Sequence, residues 1–184
     1  MNEPETRWLS DEEQQMWRAS LGVLNLLPLY LERDLQQHGL TMHDYEILVR
    51  LSEAPERRIR LTELAGLSHQ SKSRLSHQMT RMENAGLVVR ESCDSDRRGQ
   101  WAVLTDAGWD RLVKAAPDHV ESVRRHYLDL LTDEQKRAIL EAFADVVEHL
   151  RGVDNGATCP SLAGERAGAR PKPRPGTAEA VAPR

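Results

Sequence analysis

The chain has 184 residues, with 25 Lys and Arg against 29 Asp and Glu and a formal net charge of −4. That length can bury a real core, so one folded body plus a tail is the expected organisation. Two cysteines, Cys93 and Cys159, argue against a disulfide framework and for a reducing, cytoplasmic setting, and no signal peptide or membrane-length apolar run is evident.

Residues 1–9 read as a flexible lead-in. Ser10-Asp11-Glu12-Glu13 is a capping box, and a long helix is expected from there to about Gln37. Its stripe holds Met16, Val23, Leu24, Leu27, Leu31 and Leu35, widened by Leu21 and Leu26, while Pro28 predicts a kink near Leu24. A helix apolar on more than one side needs more partner surface than a small domain offers, which points toward a second subunit. Gly39 ends it. Thr41 starts the next helix, with Tyr45, Leu48, Val49 and Leu51 inward, and Ala54-Pro55 stops it.

From Arg60 the pattern is a short helix, a tight turn and a longer helix. Leu61, Leu64 and Ala65 give the short helix its apolar side, Gly66 breaks it, and Ser68 is expected to cap the next. In that helix Leu75, Met79 and Met82 form the buried stripe. Gln70, Ser73, His77 and Arg81 project from the other face, with Arg74 beside them. Between Ser68 and Met82 stand three basic residues (Lys72, Arg74 and Arg81) and no acid. Such side chains hydrogen-bond base edges and phosphates, as a recognition helix in a DNA major groove requires. For this helix alone, a solvated face is the competing reading.

Leu87 to Arg90 reads as a strand, Glu91 to Gly99 as a loop, and Gln100 to Leu104 as a second strand. In the second strand Trp101 and Val103 alternate with Gln100 and Ala102 as a half-buried ribbon. The tip, Asp94-Ser95-Asp96-Arg97-Arg98-Gly99, sets two arginines where they suit phosphate contact or a minor groove, with Asp96 placed to hold one of them. Thr105-Asp106 caps a helix to about Asp129, apolar at Trp109, Leu112, Val113, Ala116, Val120, Val123 and Tyr127. Thr132 to Gln135 is another capping box, followed by a helix with Ile139, Ala142, Phe143, Val146, Val147 and Leu150 in register. From Gly152 the chain turns to Gly, Ala, Pro, Arg and Ser, and 152–184 is expected to be a disordered tail whose basic run is more simply solvated than bound to DNA. Charge is uneven along the chain: 60–104 carries +2, whereas 1–40 carries −4 and 105–151 carries −3. The positive part of the folded body is therefore the proposed DNA-contacting segment.

These residues resemble the multiple antibiotic resistance regulator (MarR) family of bacterial transcription factors. The resemblance is carried by Leu64-Ala65, the Ser71 to Met82 helix, Glu83-Asn84-Ala85-Gly86-Leu87-Val88, Asp96-Arg97-Arg98 and the run Val103 to Gly108. It covers about residues 9 to 151 and implies a mainly α fold with a small β-wing. A winged helix-turn-helix is expected over 41–104, with dimerisation helices at 10–40 and 105–151. The implied function is a homodimeric, sequence-specific repressor on a palindromic operator of double-stranded DNA. The DNA-binding set is then Ser68, Gln70, Lys72, Ser73, Arg74, His77, Arg81, Arg97 and Arg98, with Asp96 supporting the wing. The resemblance also implies a small aromatic or phenolic effector, with Trp17, Tyr30, His38, His43, Tyr45 and Trp109 as candidate pocket residues; packing in the core or on the surface is the alternative for each.

Cys93 is flanked by Glu91, Asp94 and Asp96, whose charges disfavour a thiolate, so redox sensing is a weak alternative. A winged-helix module for protein–protein contact is the other, and paired arginines at the wing tip weigh against it. No nucleophile–base pair, phosphate loop or metal constellation is present, so neither an enzyme nor a cofactor is expected.

Overall fold

The computed structural model describes residues 6–68, 70–93 and 96–153. Residues 1–5, His69, Asp94, Ser95 and 154–184 lie outside it, as do the side chains of Cys93, Asp96, Arg97, Arg98, Arg151 and Val153. The first five residues of the expected lead-in and nearly all of the expected tail therefore fall outside the described residues. The elements in chain order are α1 (Asp11–Gln36), α2 (Met42–Glu53), β1 (Arg58–Arg60), α3 (Leu61–Leu67), α4 (Lys72–Asn84), β2 (Val88–Cys93), β3 (Asp96–Leu104), α5 (Asp106–His126) and α6 (Asp133–Val153). Single 3-10 turns stand at Pro55–Arg57 and Leu128–Leu130.

The core gathers α2, α3, α4, the sheet and α5 around Ile47, Leu48, Leu51, Leu64, Met79, Met82, Val88 and Leu112. The C-terminal end of α1 joins it through Leu35. Capping chemistry fixes the helix starts. Ser10 and Glu13 close a reciprocal box on α1, as Thr41 and Asp44 do on α2, so orphan N–H groups at each entry are satisfied. The three strands are antiparallel in the order β1-β3-β2.

One joint ties α4, the sheet and α5 together. Gly86 ends α4 at φ +69, a left-handed angle that favours glycine, while Leu87 N–H reaches Met82 O at 3.0 Å. The Thr105 hydroxyl lies 2.7 Å from Gly86 O and accepts from Gly108 N–H at 2.9 Å, capping α5. Gly108 packs so closely that a Cβ there would stand 2.0 Å from Leu87 O. The motif residues around Gly86 and Gly108 are thus two halves of one contact.

Several local expectations are corrected. α3 runs through Gly66 to Leu67, because Ser68 N–H and its hydroxyl both bond Leu64 O and complete that end. The cap of α4 is Ser71, not Ser68. β1 was not anticipated, and it reverses the face assignment of β3: Ile59 is the Cα partner of Ala102, and Ala102 and Leu104 point into the core. Trp101 faces outward instead, with the guanidinium groups of Arg58 and Arg60 each 5.0 Å from its ring, a covering that offsets its exposure. The wing strands are longer than expected, reaching Cys93 and starting again at Asp96, since the ladder pairs Val88 with Leu104 through Cys93 with Asp96. α5 stops at His126 rather than Asp129, and α6 extends through Gly152 to Val153, into the stretch assigned to the tail.

The N-terminal two-thirds of α1 and the stretch of α6 from Leu140 to Leu150 show wide apolar faces to solvent in the single chain. Met16, Trp17, Val23, Leu24, Leu26 and Leu29 are exposed on α1. On α6, Leu140 is 72% and Phe143 53% exposed, with Val146 and Leu150 further along the same stripe. No described helix is long and apolar enough to cross a membrane.

Candidate nucleic-acid interface

α4 supplies the outward polar face. Ser71 caps it by accepting from Arg74 N–H at 3.3 Å, and Leu75, Met79 and Met82 anchor the opposite face in the core. With that stripe fixed, helical geometry turns Lys72, Ser73, Arg74 and His77 to solvent, and all four are exposed. The one acid of α4, Glu83, is bound by Arg90 of β2: Nη1 lies 2.8 Å from Oε2, and the Arg90 backbone N–H donates to Oε1 at 2.9 Å. Arg90 also donates to Ser76 O and Thr80 Oγ1, so it clamps the sheet to the helix and neutralises the only negative group there. What is left facing outward is cationic and hydrogen-bonding, the chemistry that reads base edges and phosphates.

Three residues expected on that face are placed differently. Ser68 is buried, with its hydroxyl spent on Leu64 O. Gln70 is half-buried, and its Nε2 donates inward to Gln78 Oε1 at 2.9 Å. Arg81 forms a two-pronged pair with Asp44 of α2, Nη2 to Oδ1 at 2.6 Å and Nη1 to Oδ2 at 2.8 Å. Arg97 and Arg98 lie on β3 near the tip of the wing, with their side chains and that of Asp96 outside the described residues.

Sequence reasoning missed Asp44, only 1% exposed, and Gln78, also buried. Gln78 Nε2 donates to Asp44 Oδ1 at 3.1 Å, and Thr41 N–H donates to Oδ2 at 3.0 Å. Burial alone would raise the Asp44 carboxyl, but the bonds from Thr41, Arg81 and Gln78 together bring it below its ordinary value. The signal was available as a polar residue breaking each apolar stripe, which reads as solvent-facing until a partner 34 or 37 positions away is known.

The candidate effector residues scatter. Trp17 is exposed on the part of α1 that carries the open apolar face. Trp109 is a core residue, covered by the Arg57 guanidinium at 4.2 Å from its ring. His38 pairs with Asp118 of α5 at 2.8 Å, and His43 is exposed. Tyr30 stacks on His126, ring centroids 4.8 Å apart. Tyr45 stacks on His119 at 4.3 Å, and burial pushes its hydroxyl up to about 12. His119 was not singled out from sequence; burial holds its imidazole below the usual value. Its Nδ1 and the Oγ of Ser122, one turn further along α5, are buried without hydrogen-bond partners among the described residues. Among those residues no group of three or more His, Cys, Asp and Glu is placed to hold a metal ion.

A helix-turn-helix with its second helix presented outward, followed by an antiparallel wing, defines a winged-helix DNA-binding protein. The MarR family model matches residues 40–99. AbsC, a MarR family transcriptional regulator from Streptomyces coelicolor, is 58% identical; the likeness covers 80% of this chain and 99% of AbsC, with a TM-score of 0.78. Sco3205 from the same organism, solved in complex with DNA, is 42% identical over 85% of this chain and 99% of its own, with a TM-score of 0.80. YetL, a transcriptional repressor of Bacillus subtilis, is 27% identical over 65% of this chain and 71% of its own. The chain belongs to the MarR family, whose members named here are transcriptional regulators.

Proposed function

We propose that this regulator is a homodimer that binds a palindromic operator and represses by occluding promoter DNA. The observation that carries the reading is the outward face of α4, where Lys72, Ser73, Arg74 and His77 are exposed and the one acid is neutralised. Arg74 and His77 reach base edges, Lys72 a phosphate, and Arg97 and Arg98 the minor groove beside the wing. The similarity to Sco3205, which was solved with DNA, supports this, and the name of YetL supports repression.

Dimerisation rests on the apolar faces of α1 and α6, which a single chain leaves in water. Burying them against a second copy gives the twofold symmetry that a palindromic site requires. Dimerisation residues thus come from 10–40 and 105–153, and DNA-binding residues from 41–104. An effector that releases the DNA finds its best support where α1, α2 and α5 meet. There Tyr45 and His119 offer stacked rings, and the unpartnered His119 Nδ1 and Ser122 Oγ offer polar anchors for an aromatic molecule.

Fluorescence anisotropy against DNA from upstream of the gene, at two salt concentrations and with a scrambled duplex as control, tests the reading. Tight, salt-sensitive binding that prefers the native duplex is expected. Absence of binding to either duplex at low salt would remove it.

A further inference from the structure

We propose that Asp44 is the positioning residue of the recognition helix, setting the roll of α4 from the entry of α2; the proposal rests on the DNA-binding reading above. The carboxylate accepts four hydrogen bonds. Oδ1 takes Gln78 Nε2 and Arg81 Nη2, and Oδ2 takes Thr41 N–H and Arg81 Nη1. An ionised carboxylate has about four acceptor sites and no donor, so this one is saturated. Gln78 and Arg81 stand three residues apart on α4, one turn of helix held at two points.

The acceptor-only character of Asp44 propagates. Gln78 must turn its amide nitrogen to the carboxylate, which leaves its oxygen facing Gln70. Gln70 must then present its own nitrogen, at 2.9 Å, and this fixes the turn that leads into α4. At the other end, Met42 N–H at the start of α2 donates to Glu32 Oε2 of α1 at 2.6 Å. One polar chain therefore runs from α1 through the entry of α2 to the second and third turns of the recognition helix and to the turn that precedes it. A roll of about 10° in a helix of roughly 5–6 Å outer radius moves a side-chain end by about 1 Å, enough to spoil a two-bond base contact. Arg81, a member of the DNA-binding set expected from sequence, becomes a strut under this assignment.

The test uses full-length wild type, Asp44→Asn, Arg81→Met and Gln78→Met, with the duplex that the wild type enriches from a random pool and a scrambled control. Tm values and active fractions are measured first, and binding is read below every transition. The proposal predicts that Asp44→Asn and Arg81→Met each lose tenfold or more in affinity for the enriched duplex. Binding to the scrambled duplex and the salt slope should stay unchanged, a pattern that a loss of folded protein would not give. Should Asp44→Asn not fold, Gln78→Met keeps the Asp44–Arg81 pair while cutting the branch to Gln70, and it should lose severalfold in the same ratio. Equal losses on both duplexes for Arg81→Met, with the slope reduced by about one, would make Arg81 a phosphate contact and overturn the proposal. Variants that discriminate as the wild type does would overturn it as well, leaving the regulator reading intact. A wild type that binds no duplex overturns that reading itself.

Discussion

Phe143 is the only phenylalanine of the chain, and it stands on the open stripe of α6. With 53% of its surface exposed and a side chain of roughly 200 Å², about 100 Å² per copy is available to a second subunit. At about 25 cal/mol per Å² that is about 2.5 kcal/mol per copy and about 5 for a symmetric pair. Alanine retains part of this, so Phe143→Ala should cost about 4 kcal/mol, or roughly a thousandfold in the dimer dissociation constant. Because Phe143 contributes nothing to the buried core of the single chain, the folded monomer should keep its helicity. Sedimentation velocity over a dilution series, with circular dichroism on the same samples, measures both. A variant that dissociates no more readily than the wild type would refute the argument that α6 is a subunit interface. So would a wild type already monomeric at micromolar concentration.

Three further outcomes are expected. In Gly108→Ala the new methyl meets the Leu87 carbonyl, a backbone group that cannot swing aside; a loss of about 3 kcal/mol or more is expected in chemical denaturation, although alanine is the better helix former by about 1 kcal/mol, so a stabilised variant would contradict the close approach. His119 is held neutral by burial, so as pH falls below about 6.5 the unfolded chain takes up the proton first. Wild-type stability should then decline toward pH 5 by at most about 1.4 kcal/mol per pH unit, and parallel Tm profiles for wild type and His119→Gln would refute this. Arg97→Ala should lower the salt slope of DNA binding by about one while sparing sequence preference, and an unchanged slope would take Arg97 off the DNA.

Much of this organisation was legible in the chain. Helix starts were the clearest, since Ser10, Thr41, Thr105 and Thr132 declare themselves through local capping bonds that need no distant partner. The apolar stripe of α4 likewise fixed which of its residues face outward. What escaped depended on partners far along the chain. β1 is three residues long, and only its pairing with β3 makes it a strand; that pairing then turned Trp101 out and Ala102 in. Arg81 looked like a free cation because Asp44 lies 37 positions earlier. Ser68 and Ser71 are both plausible caps by residue type, and only the close of α3 on Leu64 O decides between them. The candidate effector residues share no spacing that groups them, and the fold places them apart: Trp17 and His43 exposed, Trp109 in the core, His38 on Asp118, and Tyr30 and Tyr45 on two different histidines.

Hydroxyl-radical footprinting on the duplex that the wild type enriches is the most direct test of the account. A homodimer presenting two α4 helices should protect two symmetry-related half-sites with centres about one helical turn apart, roughly 10–10.5 base pairs. Arg74→Ala should weaken both equally. Protection of a single half-site, or an asymmetric footprint that Arg74→Ala leaves in place, would contradict it.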